Sequence, residues 1–404
     1  MMIRAEDLSP ARRAGALAFL LVGYFFYAWS WNTVDILRPY IRESLGLSLT
    51  QSGSLYTLQS AGALVGAVVM GQVADRIGRR NALVISMIGY GACLLSGLLI
   101  TAYWQLVVER LLMGFFMGSM FPIAVGIYSG LFAKAMRGRI AGLVMGTYNL
   151  AVAALGFLSA AAFAAGLSWT ALLWAGAVPV ALALFAFFAI PDDRTTVPFG
   201  GPIDGPTTAT SKLPVAELFR PGVARQTILL ATMTGLNFFA YQAFTGWATT
   251  YLKEDRAIDP AVIGDVLGWQ FIGAAIGGLV WGAIGDRFGR RSAALGFVIA
   301  AALIPVYLFV PMPTTALEVT GLVYGIMLSA SVVWGPWLSE LYPPHLRSTA
   351  ASIFNWGRII SMTAPLITAP LAEAFGLAPV MCLASVAFLA AALIWSRLPE
   401  TLGR

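Results

Sequence analysis

The chain has 404 residues, of which 59% are hydrophobic and only 11% charged. Soluble domains carry roughly 25% charged residues, so this composition excludes a water-soluble fold and requires lipid to cover most of the surface. The net charge of +6 could suggest a nucleic-acid partner, but the placement of the basic residues in the predicted loops on one side of the membrane accounts for it without one.

A helix needs about 20 apolar residues to cross the hydrocarbon core. Segments of that kind are predicted near 14–40, 50–73, 82–102, 104–132, 139–164, 168–190, 225–252, 260–284, 292–311, 315–339, 349–375 and 377–397. The first follows Arg12-Arg13, is too long for the apolar part of a signal peptide, and reads as an uncleaved span. These predict an all-α membrane protein with 12 transmembrane helices in two pseudo-symmetric six-helix halves. The halves are 1–190 and 223–404, joined by a polar cytoplasmic linker over 191–222. Apart from Arg38, Arg42, Arg110, Lys253, Arg256 and Arg358, the lysines and arginines fall on one side of this topology. The positive-inside rule then puts both termini in the cytoplasm and the protein in the cell inner (plasma) membrane. Cys93 and Cys382 lie in apolar runs, and the single histidine, His345, falls in a predicted loop. No metal cluster, disulfide framework or buried histidine relay is expected from them.

The halves repeat. Gln59–Arg80 reads QSAGALVGAVVMGQVADRIGRR, and Gln270–Arg291 reads QFIGAAIGGLVWGAIGDRFGRR. Half of these aligned positions are identical, including Gln59 with Gln270 and Asp75 with Asp286. Arg137 and Arg347 match after spans four and ten. G-x-x-x-D-R-x-G-R-R, present twice as Gly71–Arg80 and Gly282–Arg291, resembles the signature of the major facilitator superfamily. Glu340…Arg347 after span ten and the ending Pro399-Glu400-Thr401 resemble motifs of its sugar porters, aromatic-acid/proton symporters and organic-ion transporters. The resemblance implies parallel six-helix repeats that rock about a central site. Asp75 and Asp286 are then gate residues. Asp75 is expected to meet Arg347 and the start of span eleven, and Asp286 to meet Arg137, Arg139 and the start of span five. Arg76, Arg80, Arg287 and Arg291 stay in the cytoplasm. Gly130 stands where Glu340 has its repeat partner, so the two sides of the gate differ.

Charges inside hydrocarbon are costly unless paired or solvated. Arg358 lies about ten residues into span eleven, or roughly 15 Å deep at 1.5 Å per residue. Its planar guanidinium suits bidentate capture of a carboxylate, and aromatic-acid symporters resemble this with a Gly-Arg in the same span. Asn355 precedes it by three residues, and Tyr148 occupies its repeat position in span five. Arg110, with Gly114, resembles the superfamily's span-four motif. Asp35 in span one is expected to pair with Arg110 or carry a proton, the alternative being that Asp35 and Arg38 only reach the outer headgroups. Glu109, adjacent to Arg110, faces another side of the helix, yet Asp35 or Glu109 is expected within ion-pair reach of Arg110 in at least one state, because buried cations seek partners. Aromatic-acid symporters carry acids in span one where this chain has Tyr27 and Ser30.

Other polar groups at mid-depth are Tyr24, Tyr27, Gln59, Tyr148, Asn149, Asn237, Tyr241, Gln242, Trp269 and Gln270, each a candidate substrate contact. An amide facing lipid is costly, so these should point to water or protein; helix–helix hydrogen bonding is the alternative. Trp334 and Trp337 read as packing or interface anchors. No cofactor is expected, and no phosphate-cradling loop or nucleophile–His–acid set occurs. The expected function is uptake of a small organic anion, a carboxylate, by proton symport through alternating access, in a monomer and without enzymatic activity. Sugar or polyol symport and proton-linked drug or metabolite export are the transport alternatives. A non-transporting sensor or scaffold would need a degraded motif or an added soluble domain.

Overall fold

In a bilayer every backbone N–H and C=O must find its partner inside the segment or in a closed barrel, so the apolar runs fold as helices. A computed structural model describes residues 3–200, 217–342 and 353–402, with the side chains of Pro336, Ser339, Phe354 and Asn355 outside the description. Among the described residues, nine helices are long and apolar enough to span a membrane. They run Pro10–Ile36, Leu49–Ile77, Arg79–Leu99, Tyr103–Leu131, Lys134–Ala164, Pro260–Phe288, Arg290–Phe309, Thr314–Val333 and Leu377–Arg397.

The other three predicted spans depart from a long apolar rod for local reasons. The sixth is a run of short turns, Trp169–Gly176, Ala177–Ala183 and Ala186–Ala189. The seventh, Ala224–Thr250, is a continuous 27-residue helix whose Asn237, Gln242 and threonines lower its hydropathy. The eleventh is divided into Ile353–Ser361 and Ala364–Phe375, with Pro365 opening the second piece, where its missing N–H costs nothing. Proline at the first helical turn also starts the spans at Pro10 and Pro260. Ser9 caps the former by accepting from the Arg12 N–H, and Asp259 caps the latter from Ala261.

The chain divides into two compact units, Met1–Leu47 with Leu55–Thr208, and Ser48–Ser54 with Ala209–Arg404. Within each, spans two and four, or eight and ten, approach until only glycine fits. A Cβ on Gly62 or Gly66 would sit 2.1 Å or 1.9 Å from the carbonyl oxygen of Leu111 or Phe115. Gly273 and Gly277 repeat this against Leu322 and Ile326, at 2.1 Å and 2.4 Å. In the first unit, Ile3–Arg4 pairs in parallel with Thr196–Val197, so residues 195–200 lie against the start of the chain. In the second, Trp334 and Trp337 are buried against Trp395, with ring centroids 5.0 Å and 6.1 Å away. They are packing residues.

Candidate functional site

In the first unit, span one presents Tyr24, Tyr27 and Trp31 at helical spacings of three and four, so they share a face. The Tyr24 and Tyr27 rings lie 5.0 Å apart, and each is 6.3 Å from Tyr148 on span five. Asn32 Nδ2 donates to the Tyr148 hydroxyl at 3.0 Å and to the Ala28 carbonyl at 2.8 Å. Trp31 meets Tyr56 edge-on at 6.4 Å. Asn149 is half-buried beside Tyr148. The result is an aromatic wall with one polar seam.

Toward the other end of span one is a buried ionic network. The Arg110 guanidinium is 2% exposed as a residue, and its Nη1 donates to Thr33 Oγ1 and to Gln59 Oε1, both at 3.2 Å. Gln59 Nε2 donates to the Trp31 carbonyl at 3.1 Å, so one amide ties the arginine to the aromatic wall. Glu109 Oε2 lies 2.9 Å from Arg110 Nε. Adjacent helical residues start about 100° apart, and here two long side chains bend back to meet. The contact lacks hydrogen-bond alignment, and neither Glu109 oxygen has a hydrogen-bond partner among the described residues. Asp35 pairs with Arg38, which is completely buried. In this structure the acid that meets Arg110 is therefore Glu109.

In the second unit, Gly357 packs so closely on span seven that a Cβ would sit 2.6 Å from the Phe238 ring and 2.9 Å from the Thr234 carbonyl oxygen. This holds the helix Ile353–Ser361, which carries Asn355 and the half-buried Arg358, directly on span seven. Asn237, one turn from Thr234, is buried, and its Oδ1 has no hydrogen-bond partner among the described residues. Tyr241 is half-buried, Gln242 fully buried, and Trp269 41% exposed. Gln270 Nε2 donates to Thr245 Oγ1 at 3.2 Å.

The basic ends carry carboxylate clamps. Both Asp193 oxygens accept from the Arg79 backbone N–H at 3.0 Å, and Asp192 pairs with Arg80 at 2.9 Å. In the second unit, Glu400 accepts from the backbone N–H groups of Arg290 and Arg291, each at 2.9 Å. Arg290 bridges Asp286 at 2.6 Å and Glu340 at 2.9 Å. The hydrogen bond from Arg194 holds the Asp192 carboxyl below its ordinary range. Burial pushes Glu400 up, but four backbone N–H bonds outweigh it and hold this carboxyl below the usual value. Asp75, Arg76, Arg139 and Arg287 are exposed, Arg137 Nε donates to the Phe132 carbonyl at 3.1 Å, and Arg347 lies outside the described residues. Sequence reasoning missed Asp192, Asp193 and Arg290, and gave Glu400 no partner. The signal was present: Pro191-Asp192-Asp193 and Pro399-Glu400 each follow the last span of a half.

The Major Facilitator Superfamily profile matches residues 20–256 and 230–403. The chain is 25% identical over 350 residues to the 4-hydroxybenzoate transporter PcaK of Acinetobacter baylyi, covering 79% of this chain and 76% of that protein. It is 26% identical to the 3-(3-hydroxy-phenyl)propionate transporter of Escherichia coli, covering 81% and 79%. A solved bacterial homologue of the human lysosomal transporter Spinster, inward-facing and unoccupied, superposes with TM-score 0.78 at 15% identity, over 96% of this chain and 97% of that one. This last likeness bears on the fold alone.

Proposed function

The chain belongs to the Major Facilitator Superfamily, a multi-pass membrane transport protein and not an enzyme, and on that premise we propose that it takes up a small aromatic carboxylate by proton symport. The observation that carries this reading is the half-buried Arg358 on a helix pinned to span seven by Gly357. A guanidinium at that depth offers two parallel N–H donors to a carboxylate. Asn237, whose buried acceptor oxygen has no hydrogen-bond partner among the described residues, suits a substrate hydroxyl, because a buried polar group without a partner costs about 1–3 kcal/mol. Tyr24, Tyr27 and Tyr148 suit the face of an aromatic ring. Relatives named for 4-hydroxybenzoate and 3-(3-hydroxy-phenyl)propionate transport support the same class.

Glu109 is the proposed proton carrier. It is a buried carboxylate beside one cation, with no hydrogen bond to either oxygen among the described residues. Asp35 is paired with Arg38 instead. Asp75 and Asp286 remain proposed gate residues that bias the alternating-access equilibrium, by on the order of 1 kcal/mol for partly hydrated pairs.

Purified protein in liposomes should accumulate radiolabelled 4-hydroxybenzoate when the outside is acid, and an uncoupler should abolish this. Arg358→Lys should lose at least ~10-fold in uptake, since an ammonium cannot reproduce the planar fork. Uptake of glucose or a polyol in place of the acid, or full transport by Arg358→Lys, overturns the carboxylate reading. Glu109→Gln should retain exchange of labelled for unlabelled substrate while losing acid-driven accumulation; preserved accumulation removes Glu109 as the carrier.

A further inference from the structure

A groove of about 480 Å³ runs along the outside of the second unit between spans nine and twelve. Its walls are Leu295 and Val298 on one helix and Leu393 on the other, each 42–57% exposed. Its lower end carries Arg291, Ser292 and Ser396. The two helices run antiparallel here, so Arg291 and Ser396 sit at the same end, and the distance from Arg291 to Val298 is roughly 10 Å at 1.5 Å per residue. A groove that is apolar along its length and cationic with hydroxyls at one end matches one kind of ligand.

The repeat supplies a second observation. Arg80, the first-half counterpart of Arg291, is paired at 2.9 Å with Asp192, which it shares with Arg194, and lies 5.2 Å over the Phe187 ring. Its side chain is 17% exposed. Arg291 is exposed; its Nε donates to the Leu398 carbonyl, and among the described residues no carboxylate pairs with its guanidinium. Glu400, the nearby acid, spends its oxygens on backbone N–H groups. The aromatic that could cover Arg291 is Trp395, but its indole N–H donates to the Arg290 carbonyl at 3.1 Å and the ring is buried. Thus the first half sets a carboxylate on this arginine, and among the described residues the second half sets only a neutral carbonyl there.

We propose that this groove is a binding site for an anionic phospholipid, whose phosphate meets Arg291, Ser292 and Ser396 and whose acyl chain lies between Leu295, Val298 and Leu393. A free inorganic anion has no use for the apolar walls, and a neutral lipid has no use for a cation that no described carboxylate balances.

The test is native mass spectrometry of the full chain in detergent, titrated with dioleoylphosphatidylglycerol, with dioleoylphosphatidylcholine and with inorganic phosphate. One phosphatidylglycerol is expected to bind more tightly than phosphatidylcholine. Arg291→Gln should weaken it about fivefold, the effect of one arginine at a lipid surface. Val298→Trp fills the groove and should remove the preference, and Leu393→Trp does so from the opposite wall should the first variant fail to fold. Arg80→Gln and Val386→Trp, the latter exposed on span twelve outside the groove, should bind as wild type. Equal affinity for both lipids, displacement of phosphatidylglycerol by millimolar phosphate alone, or undiminished binding in Arg291→Gln and both tryptophan variants each overturns the proposal.

Discussion

Spans two and four in the first unit and spans eight and ten in the second share one backbone frame and carry different chemistry. A Cβ on Gly114 would fall 1.9 Å from the Gln59 carbonyl oxygen, and one on Gly325 would fall 1.9 Å from that of Gln270. The glutamines themselves diverge. Gln59 Oε1 accepts from Arg110; the repeat position of Arg110 is Gly321, and Gln270 Oε1 has no hydrogen-bond partner among the described residues. A smaller contrast lies one turn on. Gly118 has no room for a Cβ, which would meet the Ala63 carbonyl oxygen at 2.1 Å, while Ser329 stands off and donates to the Ala274 carbonyl at 2.7 Å. Duplication has preserved what holds two helices together and released what projects from them, because a backbone contact tolerates only glycine and a side-chain position tolerates anything that is solvated or paired.

The sharpest way to break this comparison is to remove the charge that only the first half has. Arg110→Gln leaves Glu109 buried without its cation and should cost about 3–5 kcal/mol, read as a large drop in thermal unfolding temperature and lost uptake. Adding Glu109→Gln should recover much of the stability, since both charges are then gone. If the double variant is no more stable than the single one, the contact at 2.9 Å carries no coupling.

A shared frame predicts shared sensitivity. Gly114→Ala and Gly325→Ala should each destabilise by about 1–3 kcal/mol, because the clash is with backbone. Their effects on unfolding should agree within ~0.5 kcal/mol. A harmless Gly325→Ala would mean that the second half lacks the tight approach.

The smallest effect concerns the clamps. Glu400 has its carboxyl held below the ordinary 4.5. A carboxyl lowered in the folded state contributes stability above its unfolded value, and the contribution disappears as pH falls through the folded one. Glu400→Gln should therefore cost at most about 1 kcal/mol at pH 7, discounted for its exposure to solvent, and the gap to wild type should close below about pH 4. A gap that persists unchanged in acid would assign the effect to shape instead of charge.

The helices, the duplication and the basic clusters were legible in the sequence because each follows from composition or from spacing along one chain. Lipid demands long apolar runs, and the glycines at 62, 66, 273 and 277 recur in register. Which side chains meet across helices was not legible. In the sequence Asp35 and Glu109 are both open as the acid for Arg110; Glu109 turns back to it, and Asp35 pairs with Arg38 three residues away. Tyr148 and Asn32, 116 residues apart, share a hydrogen bond that no local pattern announces. The break within span eleven was hidden by its unbroken hydropathy, which averages over the turn that Pro365 opens. Periodicity fixes the face on which a residue stands. Its partner is chosen by the rotamer and by the helix packed opposite, and those exist only once the bundle has formed.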